Sequence, residues 1–452
     1  MIPKQIFRAY DIRGVYGEDL TDDIGLRLGR AIASYAGTED QDFVLGRDVR
    51  ISSKPFGDAV VEGLLSGGIN VQDIGQVTTP LLYFTTMHSK KKGGVMITAS
   101  HNPPEWNGIK ILLDSRFIGL GMGMEKLEEI AAKADFQKTS GGKLLRNAHA
   151  ISDYENYVTA KIDIQRKIRV VADPGNGCCS IIIPSLYKKV GIDVNTINGV
   201  PDGTFPAHSP EPNESTMWEV KKLVAEGTYD FGVGFDGDGD RVIFADDRGR
   251  LVPDGVVQVM LTEYYLKKEK GAPIVYEVSC SMSVEETIEA HGGKPVLSRV
   301  GHTYIGEMMK KWDAPFGGET SGHFYFMDVY GFDDALYASL KMAEILSKED
   351  RKLSEIVDST PKYPRIPGKK YGCADERKFE VVNKLTDHFR SMGYETVTID
   401  GVKVLEDEGW FLIRASNTQP IIRLTVEAKT QKDLRRLADF AGETILEATG
   451  NC

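Results

Sequence analysis

Short apolar runs closed by polar, Gly- or Pro-rich loops alternate along the chain with stretches of helical period. Residues 21–36 have the pattern of an amphipathic helix, and Asp42-Phe-Val-Leu-Gly-Arg-Asp48 that of a strand entering a polar loop. A helix through Val60-Val61 and Leu64-Leu65 stops at Gly67-Gly68, followed by a strand near Val71–Ile74 and a helix ending before Lys90. Gly94-Val-Met-Ile97 then reads as a buried strand. The alternation predicts a layered α/β domain.

The pattern repeats twice. Arg169-Val-Val-Ala-Asp173 runs into a Gly/Pro loop, a helix covers Pro184–Val190, Pro201–Pro212 is a loop of neither period, and Tyr229–Phe235 and Val242–Ala245 read as strands. Beyond residue 251 come strands at Pro273–Ser279 and from Pro295, then an Ala/Leu-rich helix over about 333–347. Pro361-Lys-Tyr-Pro-Arg-Ile-Pro-Gly368 marks a boundary. After it, a helix, strands at 395–404, 409–414 and 421–427, and a helix at 431–447 predict an antiparallel sheet with helices on one face. The expected domains are 1–147, 148–250, 251–362 and 363–452: three similar mixed α/β domains and a smaller C-terminal α+β domain.

Composition narrows this picture. The 452 residues are 41% hydrophobic and 27% charged, enough for several cores, and the net charge of −11 argues against nucleic acid as a partner. The N-terminus lacks a signal-peptide pattern and no run of apolar residues is long enough to span a membrane, so a cytoplasmic protein is expected. Five Cys, an odd number without metal-ligand spacing, read as reduced thiols.

The chemistry sits in the loops. After the strand at Gly94–Ile97, Ser100 and His101 lie on a loop that Pro103 and Pro104 keep from becoming a helix, with Lys110 ten residues on. Alone, Ser100 is as well read as a helix cap. Asp236, Asp238 and Asp240 alternate with Gly, so three carboxylates project to one side of a flexible loop, a donor set suited to Mg²⁺. Gly232-Val-Gly-Phe-Asp-Gly237 mimics a dinucleotide fingerprint, but a strand follows it and the carboxylates would repel a pyrophosphate. Arg241 stands where an EF-hand needs Gly. Gly317-Gly-Glu-Thr-Ser-Gly-His323 offers acceptors and hydroxyls for a polyol, and Arg414-Ala-Ser-Asn-Thr-Gln-Pro420 offers a phosphate cradle without lysine. Each of these is also an ordinary turn when taken alone. Together they fit phosphoryl transfer on a phosphosugar.

Thr98-Ala-Ser-His-Asn-Pro103, Asp236-Gly-Asp-Gly-Asp-Arg241, Gly318-Glu-Thr-Ser-Gly-His323 and Arg414–Pro420, with Phe7-Arg-Ala-Tyr-Asp-Ile-Arg-Gly14 at the start, occur in the order and spacing of one family. Over essentially its whole length the chain resembles the α-D-phosphohexomutases, in their phosphomannomutase/phosphoglucomutase branch. The resemblance implies four domains around a central cleft. It implies that Ser100 carries the phosphoryl group and that Asp236, Asp238 and Asp240 bind Mg²⁺ together with an oxygen on Ser100. Glu319 and Ser321, with His323 in the same loop, would hold the sugar, and Arg414, Ser416, Asn417 and Thr418 the non-reacting phosphate. Tyr10, Arg13, Lys110 and Arg241 match positions near the reacting phosphate, with His101 beside Ser100, and His302 matches one tied to acid–base work. Thr320 departs from the pattern: many bacterial phosphomannomutases have Met there and phosphoglucosamine mutases have Gln.

The expected reaction is a reversible shift of phosphate between C1 and C6 of a hexose, with hexose 1,6-bisphosphate as intermediate and activator. The expected partner is a small phosphosugar, on a monomer or weak homo-oligomer. A sibling mutase for glucosamine or pentose phosphates, a phosphosugar-binding protein without turnover and a Mg²⁺ phosphatase are the alternatives.

Overall fold

Hydroxyl caps set the starts of several helices in this chain. Thr21 Oγ1 accepts from Ile24 N at the start of α1 (Asp22–Ala36), whose first turn carries Asp22 and Asp23 against the positive end of the helix dipole. The structure is a computed structural model that describes residues 2–37, 41–134, 136, 139, 141–416 and 419–450.

The first sheet contains β1 (Ile12–Val15), β2 (Asp42–Arg47), β3 (Asn70–Gln76), β4 (Gly93–Ile97), β5 (Trp106–Leu113), β6 (Arg116–Phe117) and β7 (Leu144–Arg146), in the order β1-β5-β4-β2-β3-β7, with β6 pairing β5. Helices α2 (Ser53–Ser66), α3 (Thr79–His88) and α4 (Met124–Lys133) belong to the same layers. Close approach of α1 and α2 depends on glycine, since a Cβ on Gly29 would lie 2.2 Å from Val60 O. Every residue of β4 is buried, as expected of a strand covered on both faces. It runs parallel to β2 and antiparallel to β5, and the loop leaving its C-terminal end carries Ser100. The run near residue 94 is thus a strand as expected, and Asn107-Gly108 lies inside β5.

The second sheet has the order β11-β10-β8-β9, from β8 (Arg169–Asp173), β9 (Asp193–Thr196), β10 (Phe231–Phe235) and β11 (Val242–Asp246), with helices α5 (Ala150–Thr159), α6 (Cys179–Lys189) and α7 (Trp218–Glu226). The sequence places the start of α6 too late: it begins at Cys179 and continues through Pro184. The wholly buried β10 delivers the Asp loop at its C-terminal end, and the strand after it, β11, confirms why the loop is no dinucleotide fingerprint.

Further along come α8 (Asp254–Lys268), β12 (Pro273–Glu277), α9 (Met282–Ala290), β13 (Lys294–Ser298), α10 (His302–Trp312) and β14 (Phe316–Gly318), with β12 parallel to both β13 and β14. The hairpin of β15 (Phe324–Phe326) and β16 (Phe332–Asp333) follows, then α11 (Ala335–Ser347) and α12 (Leu353–Ser359). The last sheet is antiparallel, in the order β17-β21-β20-β19-β18, from β17 (Arg365–Gly372), β18 (Glu395–Val397), β19 (Val402–Glu406), β20 (Gly409–Ala415) and β21 (Ile421–Ala428), packed with α13 (Lys378–Ser391) and α14 (Gln431–Thr449).

Two sequence expectations change here. The span 395–404 is two strands, β18 and the start of β19, turned by Gly401 at φ +78°. The proline-rich boundary is a linker only as far as Pro364: from Arg365 it is strand β17, paired to β21 across a bulge between Pro367 and Lys369.

By packing, the chain divides into two units, Met1–Asp254 with Ser321–Ser359, and Gly255–Thr320 with Thr360–Cys452. Within the second, Val278, Trp410 and Leu412 form a shared apolar cluster. Lys403 Nζ donates to Val278 O at 3.0 Å and lies 4.1 Å from the Trp410 ring, while Met282 N donates to Glu427 Oε2 at 2.7 Å. The C-terminal sheet is therefore fastened to the elements of residues 255–320. No helix among the described residues is long and apolar enough to cross a membrane.

Candidate active site

In the first unit the loop after β4 is held by its own backbone and by a neighbour. Ser100 sits in the left-handed region at φ +49°, a conformation costing about 1–2 kcal/mol for a residue with a Cβ. Its amide donates to Thr98 Oγ1 at 2.9 Å, and its hydroxyl donates to Asp236 Oδ2 at 2.8 Å. Ser100 therefore caps no helix. His101 Nδ1 lies 3.2 Å from Ser100 Oγ. Burial, with the charges of Arg241 and Arg13, pulls its pKa down to about 2, so the ring is neutral and a weak proton acceptor.

The Asp loop curls around one of its own carboxylates. Asp236 Oδ1 accepts from the amides of Gly239, Asp240 and Arg241 at 3.0–3.1 Å. Asp238 Oδ2 accepts from Thr79 Oγ1 at 2.6 Å, Thr98 Oγ1 at 3.2 Å and Lys110 Nζ at 2.9 Å. Lys110 also donates to Asp240 Oδ2. All three Asp are essentially inaccessible, at 0%, 0% and 3% exposure. Burial, then the charges of Asp240 and Asp238, raise the Asp236 pKa well above the usual carboxylate range. Burial works against the Lys110 ammonium, but the charges of Asp238 and Asp240 outweigh it and raise its pKa well above the usual lysine range.

Ligand atoms of Asp236, Asp238 and Asp240 lie within 4.8 Å of one another. Asp238 Oδ1 and Asp240 Oδ1 are buried and accept no hydrogen bond from the described residues. Buried carboxylate oxygens without donors are costly unless a cation meets them, and an all-oxygen set suits a hard divalent ion. Asp240, His323 and Asp333 form a second close group. Both ring nitrogens of His323 are engaged there, Nε2 by Arg241 Nε at 2.9 Å and Nδ1 by Asp333 Oδ2 at 2.7 Å, so the group of three Asp is the one whose ligand atoms are more open to a cation. Asp333 was not legible as a site residue: it closes β16 just before Asp334, whose side chain caps α11 by accepting from Tyr337 N.

Arg13, on edge strand β1, donates to Asn102 Oδ1 at 2.8 Å and pairs with Asp11. Tyr10 lies just before β1, half-buried. Ser100, His101, Lys110, Arg13, Tyr10, Arg241, the three Asp, Ser321 and His323 all belong to this unit.

His302, Glu319, Arg414 and Ser416 belong to the other. His302 opens α10. Glu319 is buried, and its carbonyl accepts from Gln258 Nε2 at 2.9 Å. Thr320 is tied to the buried carboxylate of Glu277: its Oγ1 donates to Glu277 Oε1 at 2.7 Å, and Ser279 Oγ donates to the same oxygen at 2.6 Å. Arg414 is the penultimate residue of β20, with Asp400 Oδ2 3.3 Å from its Nε, and Ser416 Oγ accepts from Gln419 N at 3.2 Å. Arg423 of β21 stands opposite Arg414, a second cation that sequence reading passed over inside an apolar strand. Asn417 and Thr418 lie outside the described residues.

Known proteins match the chain along nearly its whole length. The four domains described as phosphoglucomutase/phosphomannomutase alpha/beta/alpha domains I, II and III and C-terminal domain match residues 4–138, 152–249, 254–363 and 370–443. The chain belongs to the phosphoglucomutase/phosphomannomutase family. A Thermococcus kodakarensis protein named phosphoglucomutase/phosphomannomutase is 33% identical over 98% of this chain and 99% of its own. A Methanococcoides burtonii protein named "Probable phosphoglucosamine mutase" is 35% identical over 98% of this chain and 99% of its own. A crystal structure of a phosphoglucomutase/phosphomannomutase family protein from Burkholderia thailandensis superposes with a TM-score of 0.93 at 30% identity, covering 100% of this chain and 99% of that one.

Proposed function

We propose that the protein moves a phosphoryl group reversibly between C1 and C6 of a hexose phosphate, of mannose or glucose, through phospho-Ser100 and a hexose 1,6-bisphosphate that also primes it. The observation that carries this reading is the Ser100 hydroxyl, held in a left-handed loop and 2.8 Å from a buried Asp of a three-carboxylate group. Asp236, Asp238 and Asp240, with an oxygen on Ser100, are the residues that would hold Mg²⁺, which would supply positive charge beside the transferred phosphoryl oxygens.

The chain's own groups supply the rest. The Ser100 Oγ–P bond breaks as a sugar hydroxyl takes the phosphoryl group, and it re-forms when the other phosphate returns. Lys110, Arg241 and Arg13 provide fixed positive charge at the reacting end. His302 and Lys110 are the two groups in this reading that could accept the sugar hydroxyl's proton. His101 contributes a neutral ring to the Ser100 hydroxyl. Glu319 and Ser321, with His323 in their loop, serve sugar recognition. Arg414, Ser416, Asn417 and Thr418 hold the distant phosphate, a role supported by the second cation of Arg423. The domain limits 1–147, 148–250, 251–362 and 363–452 follow the same reading, as does a cytoplasmic monomer or weak homo-oligomer.

The test is an assay with Mg²⁺ on glucose, mannose, glucosamine and ribose 1-phosphates, primed with glucose 1,6-bisphosphate, with Ser100→Ala alongside. Isomerisation of a hexose phosphate by wild type alone supports the reading. Turnover of only the glucosamine or ribose ester moves it to a sibling mutase. Release of inorganic phosphate without isomerisation makes it a phosphatase, and binding without turnover a binding protein.

A further inference from the structure

Arg50 does not appear in the site as read from sequence, yet its side chain is wholly buried and donates three hydrogen bonds to the Ser100 loop. Its Nη2 donates to the carbonyls of Ser100 at 2.8 Å and Asn102 at 2.6 Å, and its Nη1 donates to the carbonyl of Pro103. Its Nε donates to Asp48 Oδ2 at 2.9 Å. Asp48 is fixed in turn, its Oδ1 accepting from Arg50 N at 3.0 Å and from Ser53 Oγ. The Phe205 ring lies 5.1 Å from the guanidinium carbon.

We propose that Arg50 is a positioning residue for phosphoryl transfer, clamping three carbonyls of the loop so that Ser100 keeps its left-handed backbone and its hydroxyl stays on the metal-side carboxylate. Three carbonyls directed at one planar cation fix the peptide planes around Ser100, and with them the direction of its side chain. Locally the left-handed Ser100 has its amide's bond to Thr98 Oγ1 and the loop's hydrogen bond from Asn102 N to Ala99 O, 3.0 Å, each spanning no more than one turn. A lysine in place of Arg50 would keep the charge opposite Asp48 but has no fork of donors in fixed geometry. The proposal rests on Ser100 being the phosphoryl carrier.

The test compares wild type, Arg50→Lys and Arg50→Ala by intact mass during incubation with glucose 1,6-bisphosphate and Mg²⁺, and by steady-state turnover. Both variants are expected to take up phosphate on Ser100 and turn over about 100-fold more slowly, with KM for the sugar phosphate nearly unchanged, as for a misplaced reacting group. Millimolar guanidinium should restore Arg50→Ala, and methylammonium should not. Hydrogen exchange over residues 98–106 should be faster in Arg50→Lys than in wild type. Should Arg50→Ala fail to fold, Arg50→Lys carries the comparison. Phosphorylation of the variants at the wild-type rate, or a loss that tracks only the folded fraction, overturns the clamp alone. A wild type that gains no phosphate on Ser100 overturns the carrier reading and the clamp with it.

Discussion

Arg414 and Arg423 stand directly opposite one another on adjacent antiparallel strands, so two guanidinium groups share one face beside the loop that joins those strands. Like charges in that relation destabilise a sheet by a few tenths to about 1 kcal/mol unless an anion lies between them. Burial, then the charge of Arg414, lowers the Arg423 pKa. Arg423→Met should be the more stable protein in phosphate-free buffer, whereas millimolar phosphate should raise the Tm of wild type and scarcely that of the variant. In turnover, KM should rise about tenfold or more for loss of a hydrogen bond to a charged group, with kcat less affected. Equal phosphate shifts in both proteins would remove Arg423 from the cradle.

The bare Oδ1 atoms of Asp238 and Asp240 make the metal position testable without catalysis. Mg²⁺ should raise the Tm of the wild-type protein after EDTA treatment, by mass action on the folded state. Asp238→Asn should lose most of that response. A rise of the same size in Asp238→Asn would place the ion elsewhere.

Glu277 is buried at 1% exposure, and Thr320 Oγ1 is one of its donors. Thr320→Val removes that donor at nearly constant volume and should cost about 1–3 kcal/mol, read by urea unfolding. Because Thr320 stands between Glu319 and Ser321, the ratio of kcat/KM between glucose and mannose 1-phosphates should shift as well. A stability loss with an unchanged ratio would confine Thr320 to a structural part.

His208 faces acceptors on both ring nitrogens: Nδ1 lies 2.8 Å from Ser209 O, and Nε2 lies 3.1 Å from Asp173 Oδ2. The bond to Asp173 raises its pKa above 6.5, burial opposing. The imidazolium therefore stabilises the fold fully below pH 6.5, and that contribution disappears as pH rises through the raised folded value. Urea unfolding of wild type should lose stability across that window, and His208→Gln should flatten the loss. A parallel pH profile for the two proteins would count against the pair.

What the sequence made legible was local. Alternation of strand and helix, the Asp-Gly spacing and the Ser-His loop are all written within a few residues of each other. Arg50 touches Ser100 across 50 positions and Lys110 touches Asp240 across 130, and no periodicity reports such contacts. Arg423 was hidden by its apolar neighbours, and Asp333 by the helix start beside it. The proline-rich segment misled because proline was read as a break, whereas Pro367 tolerates its place in β17 at a bulge on an edge strand.

The interleaving of the two units also bears on how the molecule can be made or taken apart. Residues 321–359 rejoin the first unit only after 255–320 have been laid down for the second. A ribosome that has delivered Asp240 has yet to deliver His323 and Asp333. A nascent chain stopped at residue 254 would leave Arg241 without its imidazole partner. Neither unit can be expressed as one uninterrupted fragment, and a dissection into halves would need a permuted gene or two pieces supplied together.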